Sequence, residues 1–352
     1  MSDPLLIYGA TGYTGRLVTD AALALGLRPV LSGRDERRVA ACAAARGLEH
    51  RAAALTDDER LTAALRDIVV VVHAAGPFSA TSRPMIDACL HTGTHYLDLT
   101  GEIPVIEGLV GMNAAARRRR IMVMPAVGFD VVPSDCLAAH VARRLPQASH
   151  LMIGLSGLRF ATRGSAKTLV EHAGVGVVVR RDGALHAVSP GALSRTFDYG
   201  AGPRPSVNIS WGDVSSAFYT TGIPNIEVYF EATPLLSGML LASRHFGWLL
   251  RTAPWQSWLK ACADLLPVGQ SATERAQTGM VLVAEAVIET TRRRVCARLR
   301  TPEAYTFTGS TAAAIAQRVL RGDLEVGFQT PARVYGADFV LSFAGVHRED
   351  LE

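Results

Sequence analysis

From Pro4 to about residue 130, short apolar runs alternate with longer stretches in which apolar residues recur every three or four positions. The short runs suit strands buried on both faces, and the spaced pattern suits amphipathic helices. The predicted strands are Leu5 to Tyr8, Pro29 to Leu31, His50 to Leu55, Ile68 to Ala74, His95 to Leu99 and Ile121 to Pro125. The predicted helices between them include Leu17 to Leu25, Asp35 to Ala45, Asp57 to Leu65 and Ser82 to His91. Ile68-Val69-Val70-Val71-Val72 is an unbroken β-branched run, as a central parallel strand requires. The alternation predicts an α/β fold on a doubly wound Rossmann sheet.

After Pro133 the texture changes. Extended segments are predicted at Leu151 to Leu155, Gly174 to Val179, Ile226 to Phe230, Met280 to Ile288 and Val295 to Leu299, separated by Gly/Pro-rich turns. Runs of strands with segregated helices predict a second, α+β domain for substrate binding or dimerisation. Thr330-Pro331 reads as a helix start, with Val334, Ala337, Val340 and Leu341 at helical spacing behind it. The expected organisation is a Rossmann domain over 1–132, the α+β domain over 133–324, and a C-terminal helix over 325–352 packing back on the first domain. The apolar stretch from Leu235 to Leu250 is interrupted by Arg244 and His245. It falls short of the about 20 uncharged residues a bilayer span needs, which leaves peripheral membrane contact, an acyl-binding surface or a homodimer helix open.

Composition narrows the function. With 49% hydrophobic and 19% charged residues over 352 positions, the chain can bury two cores and is not a disordered polymer. A net charge of +4 from 36 basic and 32 acidic residues is no nucleic-acid footprint. Cys42, Cys89, Cys136, Cys262 and Cys296 are scattered without a C-x-x-C pair, and the chain enters its first strand at Pro4, so a reduced, cytoplasmic setting is expected. Only two residues are lysine, Lys167 and Lys260, and the residues four before them are Arg163 and Gln256. A Tyr-x-x-x-Lys reductase mechanism is thereby excluded. His91 and His95 have metal-pair spacing, but Gly93 breaks their common face and no metal is expected.

The chemistry gathers at the carboxyl ends of the predicted strands. Gly9-Ala10-Thr11-Gly12-Tyr13-Thr14-Gly15 follows the first strand and opens the first helix, which would set helix N–H groups on a dinucleotide pyrophosphate. Where an NAD site would carry an acidic ribose ligand, the second strand ends in Ser32-Gly33-Arg34. Arg34 can pair with a 2′-phosphate and Ser32 can donate to it, so NADP(H) is the expected cofactor; Asp35 beside them is suited to cap the next helix. Ala75-Gly76-Pro77-Phe78, after the fourth strand, would flank the nicotinamide ribose. Asp98 and Glu102 in the fifth turn, and Asp130 and Ser134 in the sixth, are the polar groups nearest a substrate. Ser134 and Asp135 are equally suited to capping a helix. Tyr96, Asp98, Asp130 and Ser134 are the catalytic candidates.

These five segments, with Asp98-Leu99-Thr100-Gly101-Glu102 and Gly128-Phe129-Asp130-Val131-Val132-Pro133-Ser134-Asp135 among them, resemble the saccharopine dehydrogenase-like oxidoreductases, and within these the trans-acting enoyl reductase branch. The resemblance covers the first ~140 residues. It implies an NADP(H)-binding Rossmann domain, a second domain, and hydride transfer to a C=C or C=N bond of a small-molecule or acyl substrate, with Tyr96, Ser134 or water as proton source. Three rivals stay open: reduction of an imine derived from an amino acid, in which Arg163 would hold a carboxylate; an acyl-phosphate dehydrogenase with Cys136 as nucleophile; and a non-catalytic NADP(H)-binding redox sensor.

Overall fold

A computed structural model of the protein describes residues 4–157, 176–265 and 278–351, with the single positions 273 and 275. Arg163, Lys167 and the first two residues of the expected strand at 174–179 lie outside the described residues. The first half runs β1 (Leu5–Tyr8), α1 (Tyr13–Ala24), β2 (Val30–Gly33), α2 (Glu36–Ala44), β3 (His50–Ala52), α3 (Asp58–Ala64), β4 (Val70–His73), α4 (Phe78–Thr92), β5 (His95–Asp98), α5 (Ile103–Val110), α6 (Asn113–Arg119), β6 (Met122–Met124) and α7 (Val132–Arg144). Next come β7 (His150–Ser156), β8 (Val177–Arg181), β9 (Ala184–Val188), β10 (Ser194–Asp198), β11 (Pro203–Asn208), α8 (Asp213–Thr221), β12 (Asn225–Glu231), α9 (Pro234–Leu250) and α10 (Ala253–Asp264). The chain closes with β13 (Gly279–Val287), β14 (Arg294–Pro302), α11 (Ala304–Leu320), β15 (Gly327–Phe328), α12 (Pro331–Tyr335) and β16 (His347–Leu351).

Two compact units result, one of Met1–Val132 with Ala304–Tyr335, the other of Pro133–Glu303 with Gly336–Glu352. In the first, seven strands form a sheet in the order β15-β6-β5-β4-β1-β2-β3, every pair parallel. This is the doubly wound fold that the alternation of the sequence requires. The strand order reverses between β1 and β4, and there the crevice for a ligand opens. Val70, Val71 and Val72 of β4 are wholly buried, as their β-branched run demands.

The domain limits differ from those expected. α11, expected within the second domain at 133–324, belongs to the first unit. Its Thr308, Gly309, Thr311, Ala312, Ala313 and Ala316 are buried, and a Cβ on Gly309 would meet the Leu17 carbonyl oxygen of α1 at 2.9 Å. Only small residues let the two helices lie so close. The helix expected from Thr330 onward stops at Tyr335, because Gly336 turns left-handed at φ 80°. A 3-10 turn at Phe339–Ser342 follows, and β16 then pairs antiparallel with β14, so residues 336–352 join the second unit.

The second unit is built on a mixed sheet in the order β10-β11-β12-β7-β13-β14-β16, with β8 pairing both β12 and β9. β7 and β12 are parallel and the other neighbours antiparallel. Met152, Phe197, Tyr199, Tyr229 and Val283 form a core cluster on it. No helix among the described residues is long and apolar enough to cross a membrane.

Candidate active site

The glycine turn sorts its three glycines by what confines each. A Cβ on Gly15 would sit 2.2 Å from the Gly9 carbonyl oxygen, and one on Gly9 would sit 2.9 Å from the backbone of Ala74 and Ala75. Both glycines are required by the protein's own packing. Gly12 has an ordinary φ of −74°, is exposed, and a Cβ there would meet only the Gly9 carbonyl oxygen, at 3.2 Å. Gly12 is also the N-cap of α1 and supplies no side-chain oxygen to the helix N-terminus. What remains is a cradle facing outward, with Thr11 and Thr14 half-buried at its edge. Tyr13 stacks edge-on against Tyr305 of α11, ring centroids 5.3 Å apart.

At the end of β2 the expected trio divides. Ser32 is buried, and its hydroxyl donates to the Arg51 carbonyl at 2.6 Å, tying β2 to β3. It is therefore not a phosphate donor, contrary to the sequence reading. Its own carbonyl accepts the N–H groups of Gly9 and Ala10, so it anchors the glycine turn. Gly33 follows with a Cβ position closed by Val39. Arg34 is exposed and makes no ion pair or hydrogen bond among the described residues. Asp35 accepts the Arg38 N–H at 3.0 Å and caps α2 without engaging Arg34.

The turn after β4 carries Ala75, Gly76, Pro77 and Phe78, with Gly76 and Pro77 exposed. Both oxygens of Glu102 accept N–H groups at the start of α4, from Phe78 and Ser79, each at 2.9 Å. Glu102 thus serves the helix terminus, where a carboxylate is favoured, and is not turned toward substrate. His73 is fully buried among Tyr8, Phe78 and Tyr96, and burial lowers its pKa to about 3, so it stays neutral.

Asp98 and Tyr96 do not face a substrate either. Both are wholly buried. Asp98 Oδ1 accepts the N–H groups of Thr100 and Ala126, each at 2.9 Å, and its Oδ2 accepts the Tyr96 hydroxyl at 2.7 Å. The carboxylate clamps the β5 turn to the β6 turn, where Ala126 is held left-handed at φ 58°. A non-glycine residue there costs about 1–2 kcal/mol. Burial raises the Asp98 pKa to about 6 against the opposing hydrogen bonds. Asp98→Ala leaves two N–H groups and a hydroxyl unpaired, and a loss of about 3–5 kcal/mol is expected in urea unfolding, with Asp98→Asn losing far less.

Asp130 is different. Its carboxyl is only partly covered, has no hydrogen-bond or ion-pair partner among the described residues, and burial alone raises its pKa to about 7. It lies directly over Gly101: a Cβ on that residue would come within 2.9 Å of Asp130 Oδ2. Its turn is fixed by α11. Thr308 Oγ1 accepts the Phe129 N–H at 2.9 Å, Thr311 donates to the Val127 carbonyl at 2.8 Å, and Phe307 meets Phe129 edge-on. Thr308 and Thr311 thus hold the Asp130 turn and Gly101 leaves space beneath its carboxyl, and the sequence reading gave none of the three a part in it. The signal was present for one of them, a glycine between two acidic positions of the fifth turn.

Ser134, in the second unit, is fully buried and donates to Asp213 at 2.9 Å, while Asp135 accepts from Thr220 at 2.5 Å. Ser134 is thus engaged by Asp213 within its own unit, where the sequence reading expected it to face a substrate. Cys136 is buried with its thiol pushed far up in pKa, which disposes of a thiolate nucleophile. His140, one turn on, pairs with Asp350 at 2.7 Å. His95 Nδ1 accepts the Met122 N–H at 2.9 Å, so it is engaged in β5–β6 contact.

Known proteins resemble this chain in part of the sequence and in fold. A "Trans-acting enoyl reductase" of Mycobacterium leprae is 34% identical over 152 residues, 40% of this chain and 36% of that protein. One of Mycobacterium ulcerans is 29% identical over 184 residues, 47% of this chain and 44% of its own. The chain therefore matches less than half the length of these relatives. The solved saccharopine dehydrogenase (L-Glu forming) of Saccharomyces cerevisiae superposes over 99% of both chains with a TM-score of 0.68 at 12% identity, a likeness of fold. Residues 5–124 match the family described as saccharopine dehydrogenase NADP binding domain.

Proposed function

We propose that the protein is an NADP(H)-dependent reductase of an enoyl (C=C) substrate, with Asp130 as the group that handles the proton. The observation that carries the reading is the Asp130 carboxyl: unpartnered among the described residues, partly accessible, with a pKa raised to about 7 and room made for it by Gly101. A carboxyl poised near neutrality at the carboxyl ends of Rossmann strands suits general acid work. The names of the relatives support the enoyl class.

The residues present fit the dinucleotide. The outward cradle at Gly12, the uncapped start of α1 and the space beside Ala75–Phe78 would hold its pyrophosphate and nicotinamide ribose, and Arg34 its 2′-phosphate. When bound, NADPH supplies a hydride. Hydride addition at the β-carbon of an enoyl compound leaves an electron pair shared between the α-carbon and the carbonyl. Asp130, in its protonated form, gives its proton to the α-carbon and becomes a carboxylate that solvent reprotonates. The Thr308 and Thr311 bonds hold the turn so that this proton is delivered from one place.

NADPH is expected to bind at least about tenfold more tightly than NADH, about 1.4 kcal/mol, and Arg34→Ala is expected to erase the difference. Titration by nicotinamide fluorescence reads both. Equal affinities in the parent protein contradict the 2′-phosphate role. The reaction class is tested by NADPH oxidation on adding enoyl thioesters, with imines in parallel; consumption by imines alone would replace the enoyl reading.

A further inference from the structure

Eight of the twelve large hydrophobic residues the structure leaves exposed fall between residues 235 and 265, on α9, α10 and the residue following α10. Leu235, Trp248 and Leu265 are 74%, 73% and 86% exposed, and Leu241, Phe246 and Trp258 are each more than half exposed. In α9 only Gly247 is buried, and the helix bends at Phe246, whose φ and ψ leave the helical region. A pair of helices with so little of its apolar surface covered normally serves an interface.

The composition of the pair selects the partner. Three of the protein's four tryptophans, Trp248, Trp255 and Trp258, lie on it. Over residues 234–264 the sequence carries Arg244, Arg251 and Lys260 against Asp264 alone. A second copy docked by two-fold symmetry would bring this net positive segment against itself, whereas an anionic surface complements it. Tryptophan, whose ring is apolar and whose N–H is polar, favours the boundary between lipid headgroups and acyl chains. Neither helix is long and apolar enough to cross a bilayer, so the pair would lie in the surface plane.

We propose that α9 and α10 form a peripheral anchor that inserts its Trp and Leu side chains into an anionic phospholipid surface. The proposal does not depend on the enoyl reading. It is tested by co-sedimentation of the full chain with phosphatidylcholine vesicles that contain or lack phosphatidylglycerol, together with the blue shift of tryptophan emission. Binding is expected to require phosphatidylglycerol and to weaken with salt. Trp248→Ser with Trp258→Ser is expected to lower it about tenfold or more, and Arg244→Glu with Arg251→Glu about tenfold. Trp248, Trp258 and Arg244 lie on the two helices and Arg251 follows the first, and NADPH affinity serves as the control for folding and is expected to be unchanged. No binding to anionic vesicles, equal binding to neutral ones, or concentration-dependent self-association that the tryptophan pair of substitutions abolishes would overturn the proposal, the last in favour of a second copy as the partner.

Discussion

Asp130→Asn is expected to lower turnover about a hundredfold or more while NADPH affinity stays within a few-fold. The substitution keeps size and shape over Gly101 and removes only the proton that can be given up. The same carboxyl fixes a pH dependence. Its pKa is raised to about 7 by burial, so the protonated acid is lost as pH rises through that value, and kcat is expected to fall above it. In the asparagine variant this limb should vanish. Stability shifts in the matching sense: a carboxyl whose folded pKa lies above its unfolded one makes the fold less stable as pH rises from about 4 to about 7. Asp130→Asn is thus expected to be the more stable protein at about pH 8, by on the order of a few kcal/mol, and near parity at about pH 4. Urea unfolding at the two values checks this. Full turnover in Asp130→Asn would remove the proton role.

The second large effect separates two glycines three residues apart. Gly15→Val is expected to prevent folding or to cost more than about 4 kcal/mol, because its Cβ would lie 2.2 Å from the Gly9 carbonyl oxygen with backbone on both sides. Gly12→Val is expected to fold, at a cost of about 1 kcal/mol for the poorer cap, and to lose NADPH binding, since the new side chain fills the cradle. Thermal unfolding and fluorescence titration of the two variants give the contrast. Unchanged NADPH binding in Gly12→Val would mean that the turn is structural only.

The sequence carried the Rossmann half well because parallel strands buried on both faces leave continuous apolar runs, and because the glycine turn sits in the context that gives it meaning. The six strands and their doubly wound sheet followed from that alone. Distinguishing Asp130 from its acidic neighbours did not. Asp98, Glu102 and Asp130 all end up beside the same turns, but two of them satisfy backbone N–H groups, and which carboxylate finds donors is decided by turn geometry that spacing does not encode. Ser32 and Ser134 failed for the same reason, each hydroxyl being taken by a nearby acceptor. α11 was hidden differently. Its buried residues are mostly small, so it shows no strong amphipathic stripe, and its partner α1 lies nearly 300 positions away in sequence, as the Gln317 bond to the Leu25 carbonyl shows (a separation of 292).

Enoyl reduction with Asp130 as the acid is tested by label transfer from NADPH deuterated at its reactive nicotinamide carbon to a panel of enoyl thioesters, with the products read by mass spectrometry and NMR. Deuterium is expected on the β-carbon of the saturated product, with transfer slowed in Asp130→Asn by the same factor as turnover. Tight binding of NADPH with no deuterium passed to any enoyl compound, or transfer at the parent rate in Asp130→Asn, would contradict it.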